Sequence, residues 1–377
     1  MINYGKHTID SSDIKIVTKI LKSDFLTQGP TIDLFQNKIN NFFGSKYSVV
    51  VSNGTAGLYL SGKALNWKKG DNIITSPITF IASANAIVLS GAQPVLVDID
   101  PRTYNLDPNK VEDKIKKIKK KIKAVIGVDY AGNPCDWESL KYLSNKYDFK
   151  LINDNCHALG AKLKKNKKYA IKYADIVVQS FHPVKNFTTG EGGAILTNDS
   201  SLNKKFLDLR NHSMIKKKNF LPWVYKVYQP GLNFRLTDIQ CALGISQIAK
   251  LDNFTKKRNI IADVYSSYFK KNENLEVPFV DKDSYHAYHL YPLLINFKKI
   301  KISKDKFFNI MMKKGIKLQV HYIPLHYQPL FKKICGMKKG DLPISEKFYD
   351  KVVSLPIYPK LSLTNVKKII KDTLSFI

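Results

Sequence analysis

The chain has 377 residues, 44% hydrophobic and 24% charged, which excludes disordered and fibrous classes and leaves length for two domains. Its 61 Lys and Arg against 31 Asp and Glu give a net charge of +30, which would ordinarily point to nucleic acid or another anionic surface. Only four of the 61 are arginine (Arg102, Arg210, Arg235, Arg258), and the remaining 57 lysines are scattered along the whole chain, so the charge reads as largely compositional and no nucleic-acid partner is expected.

In chain order, Ile14, Val17, Ile20 and Leu21 at helical spacing, after Ser11, Ser12 and Asp13 as cap candidates, predict an opening helix. Pro30 reads as the first position of a second helix carrying Ile32, Phe35, Ile39 and Phe42. Short runs rich in Val and Ile follow at 47–51, 72–75, 94–97, 124–128, 150–152, 175–178 and 193–197, separated by helix-length segments. This alternation predicts an α/β fold with a mostly parallel sheet between helices. The lysine run 114–123, with Ile115, Ile118 and Ile122, reads as the solvated face of an amphipathic helix. From about Ile248 the pattern changes: 288–297 reads as a strand, 304–314 as a helix stopped by Gly315, and 316–322 as another strand. A large domain over 1–248 and a small C-terminal α+β domain over 249–377 are expected.

The four cysteines (Cys135, Cys156, Cys241, Cys335) form no CxxC pair or metal-ligand spacing, so no metal is expected and a reducing cytoplasm is the natural setting. The first residues lack an apolar signal core, and no apolar run approaches the roughly 20 residues of a bilayer span. No membrane association is expected.

Three stretches carry chemistry. A strand ending at Val51 runs through Ser52-Asn53-Gly54-Thr55-Ala56-Gly57 into a helix, and such a turn offers free backbone N–H groups and the positive end of a helix dipole to a phosphate. Alone the signal is weak, since many strand-to-helix turns need glycine simply to turn and the stretch matches neither the P-loop pattern nor GxGxxG. Asp154, within Leu151 to Ala161, ends a buried strand where ligands sit in open α/β sheets, although a helix cap also explains an aspartate there. The third stretch, Ser180 to Gly193, places Lys185 in a loop of small and hydroxyl residues ending in glycines, away from the solvated lysine-rich helices. A lysine so placed suits a Schiff-base nucleophile of lowered pKa. Together these are a phosphate cradle, an anion for a pyridine nitrogen and a lysine for an aldehyde, the requirements of pyridoxal 5'-phosphate (PLP).

With Asn3-Tyr4-Gly5-Lys6, Leu26-Thr27-Gln28-Gly29-Pro30, Ser76-Pro77-Ile78-Thr79-Phe80 and Gly231 to Asp238, these stretches resemble the DegT/StrS-type nucleotide-sugar aminotransferases of PLP fold type I nearly end to end. The resemblance implies that Lys185 binds the cofactor and shuttles a proton and that Asp154 pairs with the pyridinium. It also implies that Gly54, Thr55 and Ser180 hold the phosphate, that Phe80 stacks on the ring and that His157 borders it. Asn233 would reach the phosphate of the neighbouring subunit, so a homodimer with a shared site is expected. Tyr4, Lys6, Thr27, His321 and Tyr322 are expected on the substrate. One departure is Asn153-Asp154-Asn155-Cys156, where the family more often has Glu-Asp followed by small residues.

Within the family, Ser180 to Gly193 and Gln319-Val320-His321-Tyr322-Ile323-Pro324-Leu325-His326 are most similar to the branch that makes UDP-4-amino-4,6-dideoxy-N-acetyl-β-L-altrosamine, toward pseudaminic acid. Glutamate would supply the amine and a UDP-4-keto-6-deoxy-N-acetylhexosamine would receive it; another nucleotide ketosugar is the alternative. His321 and His326 lack a third metal ligand, and Arg235 stands either as the anchor of the donor carboxylate or as a structural ion pair.

Overall fold

The computed structural model describes residues 1–118, 120–216 and 221–377. Seven strands form the main sheet: β1 (Tyr47–Val51), β2 (Asn72–Thr75), β3 (Gln93–Leu96), β4 (Ile122–Val128), β5 (Lys150–Asp154), β6 (Ile176–Ser180) and β7 (Gly193–Thr197). Their spatial order is β1-β7-β6-β5-β4-β2-β3, with only β7 antiparallel to its neighbours. Because β7 opposes both β1 and β6, β1 again runs with the parallel strands. The carboxyl ends of β1, β2, β4, β5 and β6 therefore meet at one edge, where α/β sheets bind ligands.

Both faces of this sheet are dry. Val50, Ile74, Val125, Leu151 and Val177 enter one core, while Val51, Ile73, Ala124, Ile152 and Val178 enter another on the opposite side. That alternation follows from the two-residue period of strands, and burial on both faces explains the unbroken Val and Ile runs.

Helix α1 (Ser11–Leu21) is capped by Asp10, whose carboxylate accepts from the N–H groups of Ser12 and Asp13 while Asp13 returns a bond to Asp10 N–H. The cap thus lies one residue before the expected candidates, and the reciprocal pair explains it. Pro30 sits just before α2 (Thr31–Phe43) rather than inside it. Helices α3 (Gly54–Ala64) and α4 (Ala82–Leu89) follow β1 and β2. The lysine-rich helix α5 (Pro108–Lys117) is shorter than expected: Ile118 is already extended, and Ile122 lies in β4, 3% exposed. Lys119 falls outside the described residues.

The C-terminal part builds its own core on a three-stranded antiparallel sheet of β8 (Leu275–Glu276), β9 (Tyr291–Ile295) and β10 (Val352–Leu355), in the order β8-β9-β10. Among the described residues the expected strand 316–322 makes only single bridges, Ile316 to Ile2 and Gln319 to Ser354. The true partner of β9, β10, escaped the sequence reading, being four residues long and closed by Pro356. Ile2 packs in this second core, and the helix Leu251–Phe269 spans both, giving Leu251 and Phe254 to the first core and Ile261, Ala262, Tyr265 and Phe269 to the second. We propose the division of the chain at 248/249, where that helix is about to begin. Among the described residues, no helix is long and apolar enough to cross a membrane.

Candidate active site

A cavity of about 630 Å³ opens at the carboxyl edge of the main sheet and is lined by residues from all three stretches that carry chemistry and from 319–323. The first wall is the β1–α3 turn. Asn53 adopts extended backbone and its side chain accepts from Ala56 N–H, which closes the helix start and leaves the first-turn N–H groups of Gly54 and Thr55 beside the cavity. A Cβ placed on Gly54 would lie 3.0 Å from Ser180 Cβ and 3.1 Å from Cys156 Sγ, so the close approach of the three strand ends favours glycine. Gly54→Ala is expected to weaken PLP binding about tenfold by spreading this cradle, with a small change in Tm; titrating the full-length protein with PLP checks it.

The second wall is the end of β5. Asp154 is 6% exposed; its Oδ2 accepts from Ser83 Oγ at 2.7 Å and its Oδ1 from Cys156 N–H at 3.3 Å. Ser83 Oγ is in turn 3.0 Å from Thr79 Oγ1. Asp154 caps no helix, so the structural reading of this aspartate does not hold.

Lys185 lies across from it on the β6–β7 loop, half-buried, its backbone N–H donating to His182 O at 2.9 Å. Burial lowers its pKa, while Cys156 and Asp154 nearby pull the other way. Four imidazoles line the same space, those of His157, His182, His289 and His321. His157 and His289 are held well below the ordinary histidine range, first by burial and next by Lys185, and His321 is pushed down to about 3 for the same reasons. His157, His289 and His321 stay neutral and so add no positive charge beside Lys185.

The third wall comes from the C-terminal part. His321 Nδ1 is 2.8 Å from Ser354 Oγ, its carbonyl accepts from Tyr130 OH at 2.5 Å, and Leu325 N–H donates to Pro77 O at 3.0 Å. These ties hold Gln319 to Ile323, together with Gln328, along the cavity. Tyr322 OH meets His157 Nε2 at 3.1 Å, with its ring near that of Phe80 at 6.0 Å. Phe80 is 53% exposed and free on the cavity side to cover a flat ligand. His326 does not reach the cavity; its Nε2 pairs with Glu346 Oε1 at 3.0 Å.

Of the residues expected on ligand, Tyr4, Gly54, Thr55, Phe80, Asp154, His157, Ser180, Lys185, His321 and Tyr322 line this cavity. Lys6 lies instead in a narrow cleft behind Lys185, Thr27 bridges Thr237, and Asn233 is exposed and bridges Asn211. Arg235 lies outside the cavity and donates to Asn211 Oδ1, and among the described residues no ion pair of the kind considered for it is formed. Sequence reasoning does not reach Ser83, His289 or Gln328; for Ser83 a signal exists, since it stands one helical turn after Thr79 and three residues beyond Phe80.

The residues fit PLP: a phosphate cradle that a Cβ would crowd, a buried carboxylate, a half-buried lysine, and His157 Nδ1, a buried nitrogen with no partner in the described residues. Residues 7–373 match the DegT/DnrJ/EryC1/StrS aminotransferase family. The chain belongs to that family. The aminotransferase is 40% identical to MJ1066 of Methanocaldococcus jannaschii over 97% of this chain and 96% of that one. It is 36% identical to the UDP-4-amino-4,6-dideoxy-N-acetyl-beta-L-altrosamine transaminase of Campylobacter jejuni strain 81-176, over 99% of this chain and 96% of that one. Among solved structures, PseC of Helicobacter pylori, an aminotransferase of pseudaminic acid biosynthesis, superposes with a TM-score of 0.92 at 34% identity, covering 100% of this chain and 98% of that one. Spr1654 of Streptococcus pneumoniae, solved in its PMP form, does so with a TM-score of 0.92 at 26% identity, covering 100% and 99%. The cofactor of this aminotransferase is therefore PLP, carried on fold type I.

Proposed function

We propose that this enzyme transfers the amine of glutamate to the 4-keto group of a UDP-4-keto-6-deoxy-N-acetylhexosamine, giving UDP-4-amino-4,6-dideoxy-N-acetyl-β-L-altrosamine. The observation that carries the amine transfer is the meeting of Lys185, Asp154 and the Gly54-Thr55 turn in one cavity. Full-length similarity to the Campylobacter transaminase and to PseC supports the choice of sugar.

PLP, when bound, supplies the electrophilic carbon and the electron sink. Lys185 Nζ is the nucleophile that holds it and, once released, the base that carries the proton between carbon atoms. Asp154 keeps the pyridine nitrogen protonated, oriented by Ser83 and the Cys156 N–H. Gly54, Thr55 and Ser180 hold the phosphate, Phe80 covers the ring, and His157 and Tyr322 border it as a neutral pair. Tyr4 and His321 face the substrate from the cavity wall, whereas Lys6 and Thr27, which do not line the cavity, are given no contact with it.

A homodimer with a shared site is part of this reading. Trp223 and Tyr228 are 72% and 70% exposed, and Leu221, Tyr225, Val227 and Leu232 are exposed beside them, immediately before Asn233. Such a patch calls for a partner surface, and a second copy would carry Asn233 toward the phosphate of its neighbour. We place the enzyme in the cytoplasm, where UDP-sugars and glutamate are available, and assign the charge of +30 the modest role of drawing in an anionic UDP-sugar.

Incubating the PLP-loaded enzyme with glutamate and a panel of nucleotide ketosugars tests the sugar assignment. Mass spectrometry is expected to show the 4-amino product from the UDP-4-keto-6-deoxy-N-acetylhexosamine and matching 2-oxoglutarate. Turnover of a different ketosugar with none of this one would reassign the substrate within the family.

A further inference from the structure

Asp129 is fully buried, and its carboxylate accepts five hydrogen bonds: from Cys135 N–H at 2.8 Å, Trp137 Nε1 at 2.8 Å, Asn153 Nδ2 at 3.1 Å, Asn155 Nδ2 at 2.9 Å and Tyr169 OH at 2.7 Å. Among the described residues no Lys, Arg or His pairs with it. Burial pushes its pKa up, and the donors, led by Cys135 N–H, oppose that. A carboxyl group placed away from water is costly, and an arrangement that spends so many donors on one calls for a reason.

Two of the five donors flank Asp154 in sequence. On a strand, residues on either side of a given position point to the opposite face. Asn153 and Asn155 therefore turn to the rear of the sheet edge while Asp154 turns to the cavity. The backbone closes the same grip, since Asp129 N–H donates to Asp154 O at 3.3 Å and Val128 pairs with Asp154 across β4 and β5. Asn155 is further fixed by its N–H to Val178 O at 2.9 Å and by Tyr169 OH at 3.0 Å.

We propose that Asp129 is a positioning residue that clamps Asn153 and Asn155 from behind and so fixes the direction of the Asp154 carboxylate toward the pyridine nitrogen. The proposal rests on the reading of Asp154 as the partner of that nitrogen. It accounts for the departure at this site: the two asparagines around Asp154 supply the amide N–H groups that the buried carboxylate needs, which a glutamate or a small residue lacks. Ser83 in front and Asp129 behind leave Asp154 little freedom to swing, and that is what preorganisation of a charged partner requires.

The test compares full-length variants for PLP dissociation constant, by absorbance titration, and for Tm. Asn155→Ala and Asn153→Ala are expected to weaken PLP binding about tenfold each and to shift the pH titration of the bound cofactor's visible band. Asp129→Asn, if it folds, is expected to do the same or more. Trp137→Phe removes a donor to Asp129 Oδ1, whereas the two asparagines hold Oδ2, and is expected to lower Tm while leaving the PLP constant within about twofold of wild type. Asparagine variants that bind and titrate PLP as wild type, with Asp154→Asn impaired, would overturn the clamp and leave the role of Asp154 standing. Equal losses of PLP affinity in Trp137→Phe and Asn155→Ala would also overturn it, since the hub would then act through stability alone. Normal PLP binding in Asp154→Asn would remove the underlying reading and the clamp with it.

Discussion

Replacing Lys185 by alanine is expected to lower kcat/KM for amine transfer by about 10⁴-fold or more, because the nucleophile and the proton carrier vanish together. The variant should still take up PLP, since the Gly54-Thr55 turn, Ser180 and Asp154 are untouched, but without the visible band of the lysine-bound cofactor. Lys304→Ala is the informative control. Burial also lowers the pKa of Lys304, to about 8, and its Nζ donates to Tyr349 O at 2.6 Å outside the cavity. A perturbed lysine elsewhere should therefore leave turnover within about twofold of wild type, since its loss removes no group near the chemistry. Steady-state kinetics on both variants, beside wild type, decide the matter; comparable losses in the two would remove Lys185 from its role.

The second large effect belongs to Asp154→Asn. The amide keeps the shape, and its oxygen can still accept from Ser83 or Cys156 N–H, but it carries no charge to hold a proton on the pyridine nitrogen. Removing one partner of a buried charge pair costs about 3–5 kcal/mol, which corresponds to a drop in kcat/KM on the order of 10² to 10⁴. Ser83→Ala should show a smaller loss of the same kind, about tenfold, since it removes one hydrogen bond to the carboxylate and leaves the charge. Single-turnover rates with glutamate measure both, and a wild-type rate in Asp154→Asn would contradict its assignment.

Much of this site was legible in the chain because its parts sit at strand ends, where local pattern and topology coincide. The Val-rich run before Ser52, the apolar run before Asp154 and the one before Ser180 each marked a buried parallel strand, and parallel strands deliver their carboxyl ends to one edge. The helix at 108–117 was read too long for a physical reason: Ile115, Ile118 and Ile122 share helical spacing, but the chain leaves the helix at Ile118 and Ile122 serves a strand. Contacts between distant segments left no local signal. Nothing in Ser284 to Leu290 announces that His289 will lie against His157, with ring centroids 4.4 Å apart. The neutrality of these imidazoles is likewise a product of burial beside Lys185, which spacing does not encode. Asp129 shows the same limit. It stands at the end of a predicted strand as an ordinary acidic residue, and its importance emerges only when Trp137, Asn153, Asn155 and Tyr169 converge on it in space.

The central claim is that, of 57 lysines, Lys185 alone carries the cofactor chemistry. Borohydride reduction of the PLP-loaded full-length enzyme, followed by proteolysis and mass spectrometry, tests it most directly. The account predicts a pyridoxyl group on the peptide containing Lys185 and its disappearance when glutamate is added before reduction. A label on another lysine, or a label on Lys185 that glutamate does not clear, would contradict it.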